Sequence, residues 1–371
     1  MSPKICGIFN YAPHYRETIY SLMEQEMNID FYFGDKLDRK IKKLDYSVFK
    51  QKVAEVANIW IYGPIYYQKG VVSLLFKKKY NKYIISGEFY CISTWLLLML
   101  AKFSSKRVYM WTHGLYAYDK PWKKFAKRIY YGLCDGVFLY NNYTKEMMIK
   151  NGNNAEKLHV IHNSIGHNKQ LKNRVLLKKN DIYIERFGNT NKVLLFSGRL
   201  TTDKKLEMLI DAITILKKCG EFYNLVLIGD GEERDHMSKY AEKMNLNHIW
   251  FYGACYDEKV LSNMIYNADL CVSPGNIGLM TIHALGYGTP VITHNNFMKQ
   301  GPEFEAVTEG KTGYFFNYND TESLAESISK WFKDKAGYSK NEIAEACYEV
   351  VDKFYNEEYQ IKVFKDITST L

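Results

Sequence analysis

Long apolar runs are missing from this chain of 371 residues. The most apolar stretch, WLLLMLA (95–101), falls far short of the ~18 residues a membrane-spanning helix needs and reads as part of a buried helix. The opening MSPKICGIFNYAP enters a strand pattern directly and lacks the layout of a signal peptide, so a cytoplasmic protein is expected. Cysteine is sparse: seven residues stand singly (6, 91, 134, 219, 255, 271, 347), an odd number without CxxC spacing. That argues against a zinc site or disulfide framework and for reduced thiols in a core. No Asp-x-Asp follows a strand, so neither metal nor cofactor is expected. Repeats, low-complexity tracts and recognised nucleic-acid motifs are also missing. Acidic residues are scarce in one half. Residues 1–165 hold 25 Lys+Arg against 13 Asp+Glu, whereas 166–371 hold 25 against 28, so the net charge of +9 comes from the first half. Such asymmetry points to a polyanionic surface as partner, and the missing motifs turn the choice from nucleic acid toward anionic lipid.

What is present is a regular alternation of short β-branched or aromatic runs with helical patterns, the signature of βαβ units and parallel sheets. The expected strands of the first half are KICGIF (4–9), IDFYF (29–33), NIWIY (58–62), KYIIS (82–86), RVYMWT (107–112), GVFLY (136–140) and LHVI (158–161). Those of the second are VLLFS (193–197), NLVLIG (224–229), IWFYG (249–253), DLCVS (269–273), PVIT (290–293) and GYFF (313–316). Between them, Leu206, Leu209, Ile210, Ile213 and Leu216 recur near 3.6 spacing, and Gly220 ends that helix. The expected fold class is α/β, with two Rossmann-like domains facing each other across a cleft. Residues 1–165 form the first, a Lys- and Asn-rich linker spans 166–190, 191–350 form the second, and 351–371 make a helix returning to the first.

Three strand-to-helix junctions of the second half lie at carboxyl ends of parallel strands, where open α/β sheets bind ligands. In SGRLTTDKKLEMLI (197–210), Gly198 allows a sharp turn, and Arg199 and Lys204 follow. Cations near a helix N-terminus oppose its dipole unless an anion lies between them. LIGDGEER (227–234) is a second glycine turn, through Gly229. SPGNIGLMTIHALGYGTPVIT (273–293) opens a helix on Gly275, Asn276, Ile277 and Gly278, whose amides can face a phosphate. A cationic loop beside an anion-cradling helix end suits a diphosphate.

In order and spacing, SGRLTTDKKLEMLIDAI, LVLIGDGEER, IWFYG, NADLCVSPGNIGLMTIHALGYGTPVIT and FEAVTEGKTGYFF resemble the C-terminal domain of retaining glycosyltransferases of family 4, which have the GT-B fold. The resemblance spans most of 190–335 and continues more weakly through WTHG (111–114) and LHVIHNS (158–164). It implies that Arg199 and Lys204 neutralise the donor diphosphate, that the Gly278 and Leu279 amides hold its distal phosphate, that Glu305 is the acid after the next strand and that His113 lines the sugar site. The family usually carries two glutamates where this chain has Gly275 and His283. The first commonly contacts the transferred sugar and the second the ribose. His283 can still bond a ribose hydroxyl. Asn276, Glu303 and Glu305 are the candidates to replace the first carboxylate, and Tyr252 and Tyr256 to stack on the base. The resemblance implies a nucleotide-sugar donor, a glycan or lipid-linked saccharide acceptor, retention of configuration and metal independence, in capsule, O-antigen or lipopolysaccharide assembly. A silent sugar-nucleotide or glycan binder and a GT-B-fold nucleotide-sugar epimerase are the alternatives.

In the basic half, KPWKKFAKRIYYGL (120–133) places Trp122, Phe125, Ala126 and Ile129 on one helical side, with Lys123, Lys124, Lys127 and Arg128 largely on the other. The stripe suits either core packing or peripheral contact with a membrane surface. The loop YAPHYRE (11–17) follows the first strand. His14, Tyr15 and Arg16, together with Glu88 in SGEFY, are candidate acceptor contacts.

Overall fold

The computed structural model describes residues 4–37 and 41–369. Contacts divide the chain into two units, one of residues 1–166 with 356–371, the other of 167–355. The strands are β1 (Lys4–Phe9), β2 (Ile29–Gly34), β3 (Val53–Val56), β4 (Asn58–Tyr62), β5 (Ile65–Gln68), β6 (Tyr80–Ser86), β7 (Arg107–Trp111), β8 (Gly136–Leu139), β9 (Leu158–Val160), β10 (Lys192–Ser197), β11 (Tyr223–Ile228), β12 (Ile249–Gly253), β13 (Leu270–Ser273), β14 (Val291–His294) and β15 (Gly313–Phe316).

The first unit holds a seven-stranded sheet in the order β3-β2-β1-β6-β7-β8-β9. Its strand pairs are parallel. Both faces are covered, which is why its strands read as continuous apolar runs rather than alternations. Successive side chains serve opposite cores: Ile8 and Tyr32 enter one, Phe9, Phe31 and Phe33 the other. The second unit carries a six-stranded parallel sheet, β12-β11-β10-β13-β14-β15. Its helix Leu206–Lys218 buries Leu206, Leu209, Ile210, Ile213 and Leu216, the stripe its spacing expects.

Two elements of the first unit differ from the sequence expectation. NIWIY does not join the parallel sheet; it turns at Gly63 and Pro64 and pairs antiparallel with β5. The parallel position beside β2 goes to VAEV, four residues with Glu55 among them and too short to be legible as a strand. The two-stranded ribbon leaves Ile59, Ile61 and Tyr62 exposed, so its apolar content does not signal burial.

The segment 166–190 contains two helices, His167–Arg174 and Ile182–Phe187, and groups with the second unit from His167 onward. The last helix, Glu357–Ser369, packs within the first unit, where the Phe364 ring lies 4.5 Å from Phe138 and 5.2 Å from Trp111. Among the described residues no helix is long and apolar enough to cross a membrane.

Candidate functional site

In each sheet the strand order reverses once at an interior position, between β1 and β6 in the first and between β10 and β13 in the second. Loops leaving the carboxyl ends on either side of such a switch point diverge and leave a crevice. In the second unit those loops are 198–205 and 274–279, which brings two of the three expected junctions together. The third follows β11, the other neighbour of β10. There Gly229 has φ +146°, and a Cβ on it would lie 1.8 Å from the Gly198 carbonyl oxygen, so the two turns touch through backbone alone.

The cations differ in their ties. The Arg199 side chain is exposed and makes no hydrogen bond or ion pair with another described residue, while its backbone carbonyl accepts from the Thr201 amide at 3.1 Å. Lys204 Nζ donates to the Asn276 carbonyl at 2.6 Å and lies 3.4 Å from the Asp203 carboxylate, lacing the two loops together. Gly275 is where they pack most closely: a Cβ there would lie 2.0 Å from the Asp203 carbonyl oxygen and 2.7 Å from Lys204 Cα. The space beside position 275 is therefore filled by backbone of the cationic loop.

The 274–279 loop is also tied to the segment after β14. Asn276 Oδ1 accepts from the Gly301 amide at 3.0 Å, and Gln300 Oε1 accepts from the Ile277 amide at 3.1 Å. The helix Met280–Gly286 then begins behind Gly278 and Leu279. Glu303 is buried and Glu305 half-buried in the turn Pro302–Ala306. His283 Nε2 meets Glu258 Oε1 at 2.9 Å, and Tyr287 donates to the same oxygen at 2.6 Å. Burial tends to raise the Glu258 carboxyl, but the bonds from His283 and Tyr287 outweigh it and hold the group below the ordinary glutamate range. Tyr252 lies on edge strand β12 with its ring edge-on to Trp250 at 5.1 Å, and Tyr256 is exposed. Among the described residues no three His, Cys, Asp or Glu side chains form a metal-binding group.

His294 ends β14 and is 1% exposed. Burial, reinforced by the nearby Lys205 and Lys299 charges, lowers its pKa to about 4. Unfolded histidine titrates near 6.5, so neutral His294 stabilises the fold above that pH, and the contribution fades as pH falls toward 4. Between pH 7.5 and 5 the expected loss is on the order of 2 kcal/mol, read as a lowered Tm, and His294→Gln should flatten this slope. An equal slope in the variant would assign the acid sensitivity elsewhere.

The first unit's switch point holds a separate cavity of about 520 Å³, inside the roughly 300–1,000 Å³ range of ligand pockets. The loops after β1, β6 and β7 bring Tyr15, Arg16, Glu88 and His113 to its lining. His14 is exposed outside it, 3.3 Å from the Lys42 carbonyl. Arg16 spreads over Trp111 at 4.4 Å and donates to the Tyr140 hydroxyl. Asn10 Nδ2 orients Glu88 at 3.0 Å. The outer edge of His113 is open to solvent, yet its ring sits 4.5 Å from that of Tyr140. This desolvation, with the Arg16 and Lys127 charges, lowers its pKa to about 4 and leaves it neutral at pH 7.

Several lining residues escaped sequence reasoning. Trp60 and Tyr66 stack at 5.6 Å from the hairpin, whose position the sequence did not indicate. Lys127 was legible only as part of the cationic face of 120–133. It turns inward instead, donating to Asp119 at 2.7 Å and to the Gly114 carbonyl at 3.0 Å. The apolar stripe does not pack on the sheet: Trp122 and Phe125 are each 62% exposed and Ile129 48%.

Residues 178–350 match the family model for Glycosyl transferases group 1. A mannosylfructose-phosphate synthase of Agrobacterium fabrum is 29% identical over 168 residues, 42% of this chain and 36% of the relative. A lipopolysaccharide 1,2-N-acetylglucosaminetransferase of Salmonella typhimurium is 26% identical over 188 residues, 47% of each. A glycogen synthase of Mycobacterium tuberculosis is matched over 34% of its own length, so the chain spans a third to a half of these relatives. Solved structures align over nearly the whole chain. A lipopolysaccharide outer core galactosyltransferase, WaaB, gives a TM-score of 0.72 at 17% identity, covering 99% of this chain and all of that one. The Anabaena protein HepE in complex with UDP gives 0.72 at 15%, with the same coverage. The fold is thus α/β, with two Rossmann-like units of the GT-B class.

Proposed function

We propose that this protein is a glycosyltransferase that moves a sugar from a nucleoside-diphosphate sugar to a glycan or lipid-linked saccharide. The observation that carries the reading is the second unit's crevice, where an unpaired Arg199 and a loop-bound Lys204 meet the helix opening at Gly278 and Leu279. The group 1 glycosyltransferase match over the same residues supports it. Breaking the sugar–phosphate bond leaves negative charge on the departing diphosphate. Arg199, Lys204 and the helix-opening amides stabilise that charge, each such donor being worth about 3–4 kcal/mol. With these groups neutralising the leaving group, turnover is expected to survive EDTA. Retention of configuration follows the resemblance, and the lipopolysaccharide relatives favour surface polysaccharide synthesis as the role.

A thermal-shift screen against UDP, GDP, CDP, ADP and dTDP tests the reading, since a ligand at 100 times its Kd adds about 2.7 kcal/mol. One nucleotide should stabilise the protein, and the matching nucleotide-sugar should be consumed only with acceptor. Consumption without acceptor would favour an epimerase. Binding without consumption under any acceptor would favour a silent nucleotide-sugar binder, a reading motivated by Gly275 and His283.

Peripheral membrane contact through 120–133, at the cytoplasmic face, is part of the proposal. The exposed Trp122, Phe125 and Ile129 lie beside Lys124 and Arg128, and each cation adds about 1 kcal/mol near an anionic leaflet. In vesicle sedimentation the protein should bind phosphatidylglycerol-rich but not purely zwitterionic liposomes, and Trp122→Glu with Phe125→Glu should reduce binding about tenfold or more. Equal binding by the variant would remove this helix from the contact.

A further inference from the structure

On the helix that begins behind the 274–279 loop, Met280–Gly286, His283 belongs to a side-chain cluster that the family resemblance does not anticipate. His283 occupies a position where the resembled family usually carries a glutamate, and it meets a partner 25 residues away in the chain. Glu258 opens the helix Glu258–Asn267 that follows β12, and its carboxylate is directed by two donors onto one oxygen: His283 at 2.9 Å and Tyr287 at 2.6 Å. Because a carboxylate only accepts, the His283 Nε2 carries the proton in this bond. Tyr287 is itself held by Asn173, whose Nδ2 donates to the hydroxyl at 3.2 Å. Among the described residues no bond engages Glu258 Oε2, and the side chain remains 43% exposed. An oriented carboxylate with one oxygen occupied and the other open is suited to accept from the hydroxyls of a vicinal diol. His283, to which it is bonded, stands one helical turn beyond Leu279, since the His283 amide bonds back to the Leu279 carbonyl at 3.1 Å.

We infer that Glu258, aimed by His283 and Tyr287, receives the ribose hydroxyls of the donor nucleotide, so that the carboxylate lost at position 283 is supplied from the neighbouring helix. Histidine at 283 is then a positioning residue, and its replacement acts through Glu258. The inference rests on the donor-site reading proposed above, and its test separates the two.

Isothermal titration of the full chain would use three probes: the ribonucleoside diphosphate chosen from UDP, GDP and ADP by the tightest binding, its 2′,3′-dideoxy counterpart, and inorganic pyrophosphate. The wild type is expected to prefer the ribo form about tenfold, the worth of one charge-assisted hydrogen bond pair. Glu258→Ala should bring that ratio close to one while leaving pyrophosphate affinity unchanged, and His283→Ala should reduce the ratio in the same direction. Glu258→Gln, nearly the same shape, serves if the alanine variant does not fold, and should reduce the ratio without changing Tm appreciably. A ratio that stays near tenfold in the Glu258 variants would overturn the inference and leave the cluster as a brace between two helices. Failure of every probe to bind the wild type would instead remove the donor site, and this inference with it.

Discussion

Replacing Arg199 by alanine is expected to leave the fold intact and to weaken nucleoside-diphosphate binding by about 100-fold, with a loss of similar or larger size in kcat/KM. The separation of the two effects follows from its surroundings. The Arg199 side chain is exposed and makes no hydrogen bond or ion pair with another described residue, and surface substitutions without side-chain contacts change stability by no more than about 0.5 kcal/mol. On the donor-site reading proposed above, its use lies in a ligand rather than in the fold. Arg199→Lys should recover part of the affinity, because a point charge neutralises a diphosphate without matching its paired oxygens. Lys204→Ala is expected to behave differently, losing Tm as well as affinity, since Lys204 Nζ also ties the loop to the Asn276 carbonyl. Calorimetric titration beside a thermal melt of each variant checks this. An Arg199→Ala protein that binds like the wild type would end the assignment of this loop to a diphosphate.

Gly275→Glu is expected to harm the protein, although on the resemblance alone it looks like the restoration of a missing catalytic-site acid. A Cβ at 275 would meet the Asp203 carbonyl oxygen at 2.0 Å and the Lys204 backbone at 2.7–2.8 Å. These are backbone atoms, so relief requires moving the whole 201–205 loop rather than turning a side chain. Overpacking of this kind costs about 2–3 kcal/mol, or roughly 5–10 °C in Tm for a unit of this size. The displaced loop carries Lys204 away from Asn276, so diphosphate affinity should fall about tenfold in the same variant. Gly275→Ala separates the steric effect from the charge and should reproduce most of the loss. An alanine variant that melts with the wild type and binds as tightly would mean that the loop yields freely, and the glutamate variant would then become a fair test of restored sugar contact.

These two positions show where reading the chain residue by residue succeeds and where it stops. Arg199 was legible because cations leading into a helix N-terminus oppose its dipole, a local oddity. Gly275 was legible only as an absence. Its reason lies in Asp203 and Lys204, some seventy residues away, and nothing in either segment announces the other. Glu258 is similar: it stands in an ordinary helix start, capped by Asp257 through the Lys259 amide at 2.8 Å, and only the packing of two helices makes it the partner of His283. Lys127 was legible as a surface cation and is a buried one, because the helix faces the sheet with its tyrosines, Tyr130 and Tyr131, and turns its tryptophan outward.

The sequence by itself determined the α/β class, most of the strands, the amphipathic helices and the glycine turns that end the strands. All of these follow from interactions within a few residues: the two-residue and 3.6-residue periods, and the φ freedom of glycine. The tertiary structure alone decided the order of strands in each sheet, and with it the two switch points. It also decided that β4 and β5 form a hairpin apart from the main sheet, and which loops close on one another around Gly275 and Gly229. Strand order and loop contact depend on pairings between segments far apart in the chain. The apolar runs of buried parallel strands are nearly interchangeable, so their sequences do not record which neighbour each one takes.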